Sequence, residues 1–142
     1  MLIKFKKTNP AARVPHYASA GAACFDLCSV IDTLVHPGTT MLVSTGLAFE
    51  VPEGNALLVY PRSGLAMRGL RLANCVGVVD SDYRGDVMVA LHNDSREAML
   101  VRAGDRIAQA MIVPAARHGF VESKDLSATE RGAGGFGSTG VA

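Results

Sequence analysis

An all-β domain is expected: a sandwich, jelly roll or barrel. Three observations predict it. Short runs of alternating or apolar, β-branched residues recur along the chain, glycine and proline punctuate them, and only Pro61 to Leu70 breaks the pattern towards a helix. The 142 residues suit one domain with a single buried core. Hydrophobic residues make up 49% and charged residues 19%, the balance of a folded chain rather than a disordered one.

Composition also excludes classes of function. A formal net charge of +1 leaves no electrostatic footprint for nucleic acid and no basic patch for a membrane. No apolar run approaches the roughly 18 residues of a membrane span. The start, Met1 to Lys7, lacks the apolar stretch and cleavage site of a signal peptide, so a cytoplasmic protein is expected. The three cysteines, Cys24, Cys28 and Cys75, are an odd set, which argues against a disulfide framework. Cys24 and Cys28 lack a second CxxC or CxxH, and His16, His36, His92 and His118 have no metal-ligand spacing.

Taken in order, Pro10 to Ser19 is an extended surface approach. Cys24 to Cys28 reads as a strand, with Phe25 and Leu27 on one face and Asp26 on the other, looking out of the core. Pro37-Gly38 is a turn, and Thr39 to Glu50 is β-rich with an interruption at Gly46. A turn at Pro52 to Asn55 leads into the strand Ala56 to Tyr60. Ser63 is placed to cap a short helix over Gly64 to Arg68. Such a helix start, with free N–H groups, a hydroxyl and Arg62 beside it, is either an ordinary capped helix or a seat for phosphate. Ala98 to Val101 and Ile107 to Val113 are further strands. Gln109, inside the second, is either an outward-facing amide or a group aimed at a ligand.

The stretch Gly77 to Val87 reads as a β-hairpin. Val76, Val78 and Asp80 alternate with Cys75, Gly77 and Val79; Ser81 to Gly85 are polar turn formers; Val87, Val89 and Leu91 resume the alternation. A hairpin of this kind can hold the Asp80 carboxylate and the Tyr83 ring close together on a stiff support. Arg131 to Gly140 is too glycine-rich to pack a core and is expected to be mobile when free. It still carries an arginine, a phenylalanine and two hydroxyls, the parts of a flap for a phosphorylated base. It is no P-loop, because no Lys-Ser or Lys-Thr follows the glycines.

Five segments in order resemble the five motifs of the trimeric dUTPases: Ala22-Ala23-Cys24-Phe25-Asp26-Leu27, Pro61-Arg62-Ser63-Gly64-Leu65-Ala66, Gly77 to Gly85, Gly104-Asp105-Arg106-Ile107-Ala108-Gln109 and Arg131-Gly132-Ala133-Gly134-Gly135-Phe136-Gly137-Ser138. One departure is visible. The family usually has glycine where Cys24 stands, so a backbone with positive φ there would be strained.

The resemblance implies a dUTPase-type jelly-roll (β-clip) subunit over residues 1–126 and a flexible tail over 127–142 that completes a neighbour's active site in a homotrimer. It implies hydrolysis of dUTP to dUMP and pyrophosphate with Mg²⁺. Asp80 would orient and deprotonate the attacking water. Asp26 would hold Mg²⁺ through water, the ion being held mainly by the triphosphate. Arg62, Ser63, Gly64 and Gln109 would bind phosphate; Arg131 would pair with the γ-phosphate; Phe136 would stack on uracil, and Gly137 and Ser138 would add phosphate donors. Main-chain groups of Gly77, Val78, Val79 and Met88, with the Asn74 amide, would read the uracil edge. Tyr83 would lie against the deoxyribose and block a 2′-hydroxyl.

Two rivals have weaker support. A dCTP deaminase of similar fold would need a glutamate in the hairpin and usually a nearby tryptophan; the hairpin has aspartates only, and the chain has no tryptophan. A binding or regulatory protein on the same fold leaves the complete motif set without a purpose.

Overall fold

The computed structural model describes residues 2–136. The strands are β1 (Lys4–Lys7), β2 (Phe25–Cys28), β3 (Thr33–Val35), β4 (Thr40–Ser44), β5 (Leu47–Glu50), β6 (Asn55–Tyr60), β7 (Leu70–Leu72), β8 (Gly77–Val79), β9 (Met88–Asn93), β10 (Met99–Val101) and β11 (Arg106–Pro114). One short helix, α1 (Ser63–Ala66), lies between β6 and β7. Every ladder is antiparallel. The order β2-β11-β6-β8 makes one sheet and β4-β9-β7 another, with the pairs β1-β5 and β10-β3 beside them. This is an all-β fold, as the alternation and punctuation predict, and its jelly-roll form is the one the resemblance implies.

Alternation builds the core directly. In β9, Val89 and Leu91 point inward and are buried, while Met88 is exposed. In β2, Phe25 and Leu27 are buried against Ala110 and Ala108 of β11. Leu27, Val35, Val43, Leu57, Leu91 and Ile107 are among the residues closed from solvent, and they join the sheets through one apolar cluster.

A polar residue also belongs to the core. Asn93, fully buried at the end of β9, donates from Nδ2 to the carbonyls of Val35 and Glu97, both at 2.8 Å. Its Oδ1 accepts from the Ser95 amide at 2.9 Å and the Ser95 hydroxyl at 2.7 Å. One amide thereby ties β3 to the β9–β10 turn. Asn93→Ala removes the donor to the Val35 and Glu97 carbonyls and the acceptor for Ser95, and is expected to cost about 2–4 kcal/mol, read as a lower denaturant midpoint at unchanged slope.

Two local expectations are corrected. The stretch around Gly77 to Val87 is not a hydrogen-bonded hairpin: β8 pairs with β6, whereas β9 pairs with β4 and β7. The connection from Asp80 to Val87 therefore passes from one sheet to the other and opens a gap between its two flanks. The reason is β8's own register, Gly77 opposite Val59, where a Cβ on Gly77 would stand 3.2 Å from the Val59 Cβ. Close approach to β6 commits β8 to that side.

The second correction concerns the helix. Its cap is Arg62, in extended backbone at φ −99° and ψ 129°, and Ser63 is the first helical residue. The Arg62 carbonyl accepts from the Leu65 and Ala66 amides, both at 3.0 Å. The helix therefore begins one residue earlier than a serine cap would place it.

Candidate active site

Asp26 is the centre of one cluster. Its carboxylate meets Arg62 Nε at 3.1 Å and Arg106 Nη1 at 3.2 Å, and the Asp26 side chain is only 10% exposed. Asp26 faces out of the apolar core, as the strand alternation predicts, and two guanidiniums cover it there. Register explains the meeting. Gln109 lies opposite Asp26 on β11, and the pairing shifts between Arg106 and Ala108. That bulge sends the consecutive residues Ile107 and Ala108 both into the core and turns Arg106 to the face that carries Asp26.

Gln109 also faces this side, and its Nε2 donates to the Pro61 carbonyl at 2.9 Å, fixing the entry to α1. The Ser63 and Gly64 amides open the helix beside Arg62 and take no hydrogen bond within it. Next to them lies a cavity of about 260 Å³, lined among others by Arg62, Arg68, Met99, Asp105 and Arg106. With Arg62, Arg68 and Arg106 against Asp105, the wall has an excess of positive charge, suited to an anion.

A second cluster forms where β8 and β9 part. A slot of about 210 Å³ is lined by Val78, Val79, Asp80, Tyr83, Asp86, Val87 and Met88. Val78 and Met88 stand at its flanks, 64% and 43% exposed, and Tyr83 closes one end. The Asn74 amide lies against Gly77, about 3.5 Å from where a Cβ would be. Asp80 is exposed at the rim and also borders a hollow of about 390 Å³ with Glu53, Asn55, Asp82 and Arg117. The turn is self-braced: the Tyr83 amide donates to the Asp80 carbonyl at 3.2 Å, and Arg84 Nη1 donates to the carbonyls of Ser81 and Tyr83 at 2.7 and 2.8 Å. The apolar lining from Val78, Val79, Val87 and Met88 suits the face of a flat ring.

The third group lies on the tail. From His118 onward the described residues form no helix or strand, and their hydrogen bonds to one another are local. Arg131 Nε donates to the Gly134 carbonyl at 2.9 Å, and Phe136 is fully exposed. Gly137 and Ser138 lie outside the described residues.

The structure thus brings Asp26, Arg62, Ser63, Gly64 and Gln109 together, and separately Asn74, Gly77, Val78, Val79, Asp80, Tyr83 and Met88. The basic cavity and the slot share no lining residue, and Arg131 and Phe136 line neither. Sequence reasoning missed Arg106 as a site residue; its place three residues before Gln109 was the available signal, and the bulge that aims it was not. At Cys24 the backbone avoids the left-handed region, so cysteine in place of glycine costs no strain of that kind. Burial, then the neighbouring Asp26 charge, push the Cys24 thiol up.

An arginine-rich cavity at a helix start and a partly apolar slot, on one antiparallel jelly roll, suit a ligand with phosphate and a ring, as a nucleotide has. The dUTPase family model matches residues 11–140. The chain is 48% identical over 141 residues to the deoxyuridine 5′-triphosphate nucleotidohydrolase of Nautilia profundicola, covering 99% of both chains. It is 47% identical to that of Caulobacter vibrioides, covering 99% of this chain and 96% of the relative. Among solved structures, the Staphylococcus bacteriophage 80alpha dUTPase bound to dUPNHPP superposes with a TM-score of 0.89 at 26% identity, covering 99% of each chain. The chain belongs to the dUTPase family.

Proposed function

We propose that the protein hydrolyses dUTP to dUMP and pyrophosphate, so supplying dUMP for thymidylate synthesis and keeping uracil out of DNA. The observation that carries this reading is Asp80 at the rim of a ring-sized slot, in a family whose relatives are nucleotidohydrolases of this substrate. Uracil enters the slot with its edge towards the main chain of Gly77, Val78, Val79 and Met88 and the Asn74 amide. A cytosine leaves those groups mismatched, which can reject by about 10⁴-fold. Tyr83 lies against the deoxyribose.

Asp80 orients the water that attacks the α-phosphorus and accepts its proton. A carboxylate is a weak base at neutral pH, so most of the rate comes from alignment and charge stabilisation. Arg62, Ser63, Gly64 and Gln109 bind phosphate oxygens. Arg106, fixed by Asp26, adds positive charge to the same wall.

A bound Mg²⁺ would supply positive charge to offset part of that on the triphosphate. The described residues gather no three His, Cys, Asp or Glu side chains that could hold a metal. Asp26 is the residue that would hold such an ion, through water, with the triphosphate supplying most of the ligands.

Because the slot and the basic cavity share no wall, one site takes the slot from one chain and the arginine cluster from another, in a cytoplasmic homotrimer. Residues 1–126 are the jelly-roll body. Residues 127–142 are the arm that brings Arg131, Phe136, Gly137 and Ser138 to a neighbour's site, where they close over the γ-phosphate and the base.

Pyrophosphate release measured in parallel from dUTP, dCTP, dTTP and UTP with Mg²⁺ tests the reading. Turnover of dUTP far above the other three is expected. Ammonia released from dCTP would move the protein to the deaminase branch, and no turnover from folded protein would leave a binding role.

A further inference from the structure

We propose that Asp86 is a positioning residue that fixes Tyr83 and thereby sets the discrimination between dUTP and UTP. This rests on the reading that Tyr83 faces the sugar. Asp86 ends the loop between β8 and β9 and is held at three points. Its Oδ1 accepts from the Thr8 hydroxyl at 3.2 Å, just past β1, and its Oδ2 from the Ser44 hydroxyl at 2.5 Å, at the end of β4. Its main-chain carbonyl accepts from the Tyr83 hydroxyl at 3.1 Å. The ring is therefore tethered at its far end to a residue held in place by Thr8, next to β1, and by Ser44 of β4.

Neighbouring contacts stiffen the same point. Val87, buried in the core, donates to the Leu47 carbonyl at 2.8 Å, and its own carbonyl accepts from the Thr45 amide at 3.3 Å and hydroxyl at 2.8 Å. A side chain on Gly85 would run into the Tyr83 phenol, so glycine lets the ring lie down over the loop. Without the Asp86 carboxylate, the loop end keeps the Val87 anchors but loses its ties to Thr8 and Ser44. The phenol then follows a carbonyl that can move.

The consequence for selectivity follows from the chemistry of the substrates. UTP differs from dUTP by one hydroxyl, and a compliant apolar wall rejects an added hydroxyl weakly. A wall that cannot retreat turns the same hydroxyl into a clash. Tyr83, 45% exposed, has little packing to hold it, so its tether carries the rigidity.

The test is the ratio of kcat/KM for UTP to that for dUTP. Asp86→Ala is expected to raise it by about tenfold or more, and Asp86→Asn, which can still bond both hydroxyls, to leave it within about threefold. A purely structural loss lowers the active fraction for both substrates equally and leaves the ratio where it was. If Asp86→Ala does not fold, Thr8→Val combined with Ser44→Ala removes the same ties from the other side and should raise the ratio likewise. Tyr83→Ala separates the two readings. A ratio that rises in Tyr83→Ala but in neither Asp86→Ala nor the double variant overturns the role of Asp86 alone. No rise in Tyr83→Ala overturns the sugar contact, and the role of Asp86 with it.

Discussion

Asp80→Asn is expected to lower kcat for dUTP by about 10³-fold or more while KM stays within about threefold. The substitution is nearly isosteric and the side chain is exposed at the rim of the slot, so neither packing nor the turn need change. The Tyr83 amide bonds the Asp80 carbonyl, not its carboxylate, and that brace survives in the variant. What disappears is the ability to take a proton from the attacking water. Nucleotide affinity, measured by titration with a non-hydrolysable dUTP analogue, should be almost unchanged. A fall in kcat of less than about tenfold would mean that positioning and charge stabilisation suffice and that Asp80 is not the base.

Deletion of residues 131–142 is expected to be the second large effect. The chain should fold with unchanged stability, because residues 131–136 contribute nothing to the buried cluster and bond only to near neighbours. The kcat/KM for dUTP should fall by about 10²- to 10³-fold, the scale on which a preorganised charged donor and closure over the substrate act. Arg131→Ala alone should reproduce part of that deficit. Full activity of the truncated chain would remove the tail from the site.

The sequence carried the strands well because alternation is a local signal: Phe25 and Leu27, or Val89 and Leu91, bury one face whatever their partners. Partners are non-local, and there sequence reading fell short. The two runs about Ser81 to Gly85 looked like a hairpin because short, turn-linked strands usually pair. Here β8 is claimed by β6 and β9 by β4 and β7.

The candidate site was legible as residue types in ordered motifs. The motifs named Asp26, Arg62 and Gln109, and the structure gathers them on one face. Arg106 was hidden because a bulge, not the strand period, turns it towards Asp26. Asp86 was hidden because its partners Thr8 and Ser44 are 78 and 42 residues away in the chain. No spacing rule reaches that far.

If each site is built from more than one chain, mixing two inactive variants restores activity. Asp80→Asn protein and protein lacking residues 131–142, each nearly inactive alone, are unfolded together, refolded and assayed for pyrophosphate release from dUTP. Activity is expected to return in the mixture, because an intact Asp80 from one chain meets an intact tail from another. A mixture no more active than the sum of its components, in assemblies verified to contain both chains, would contradict it.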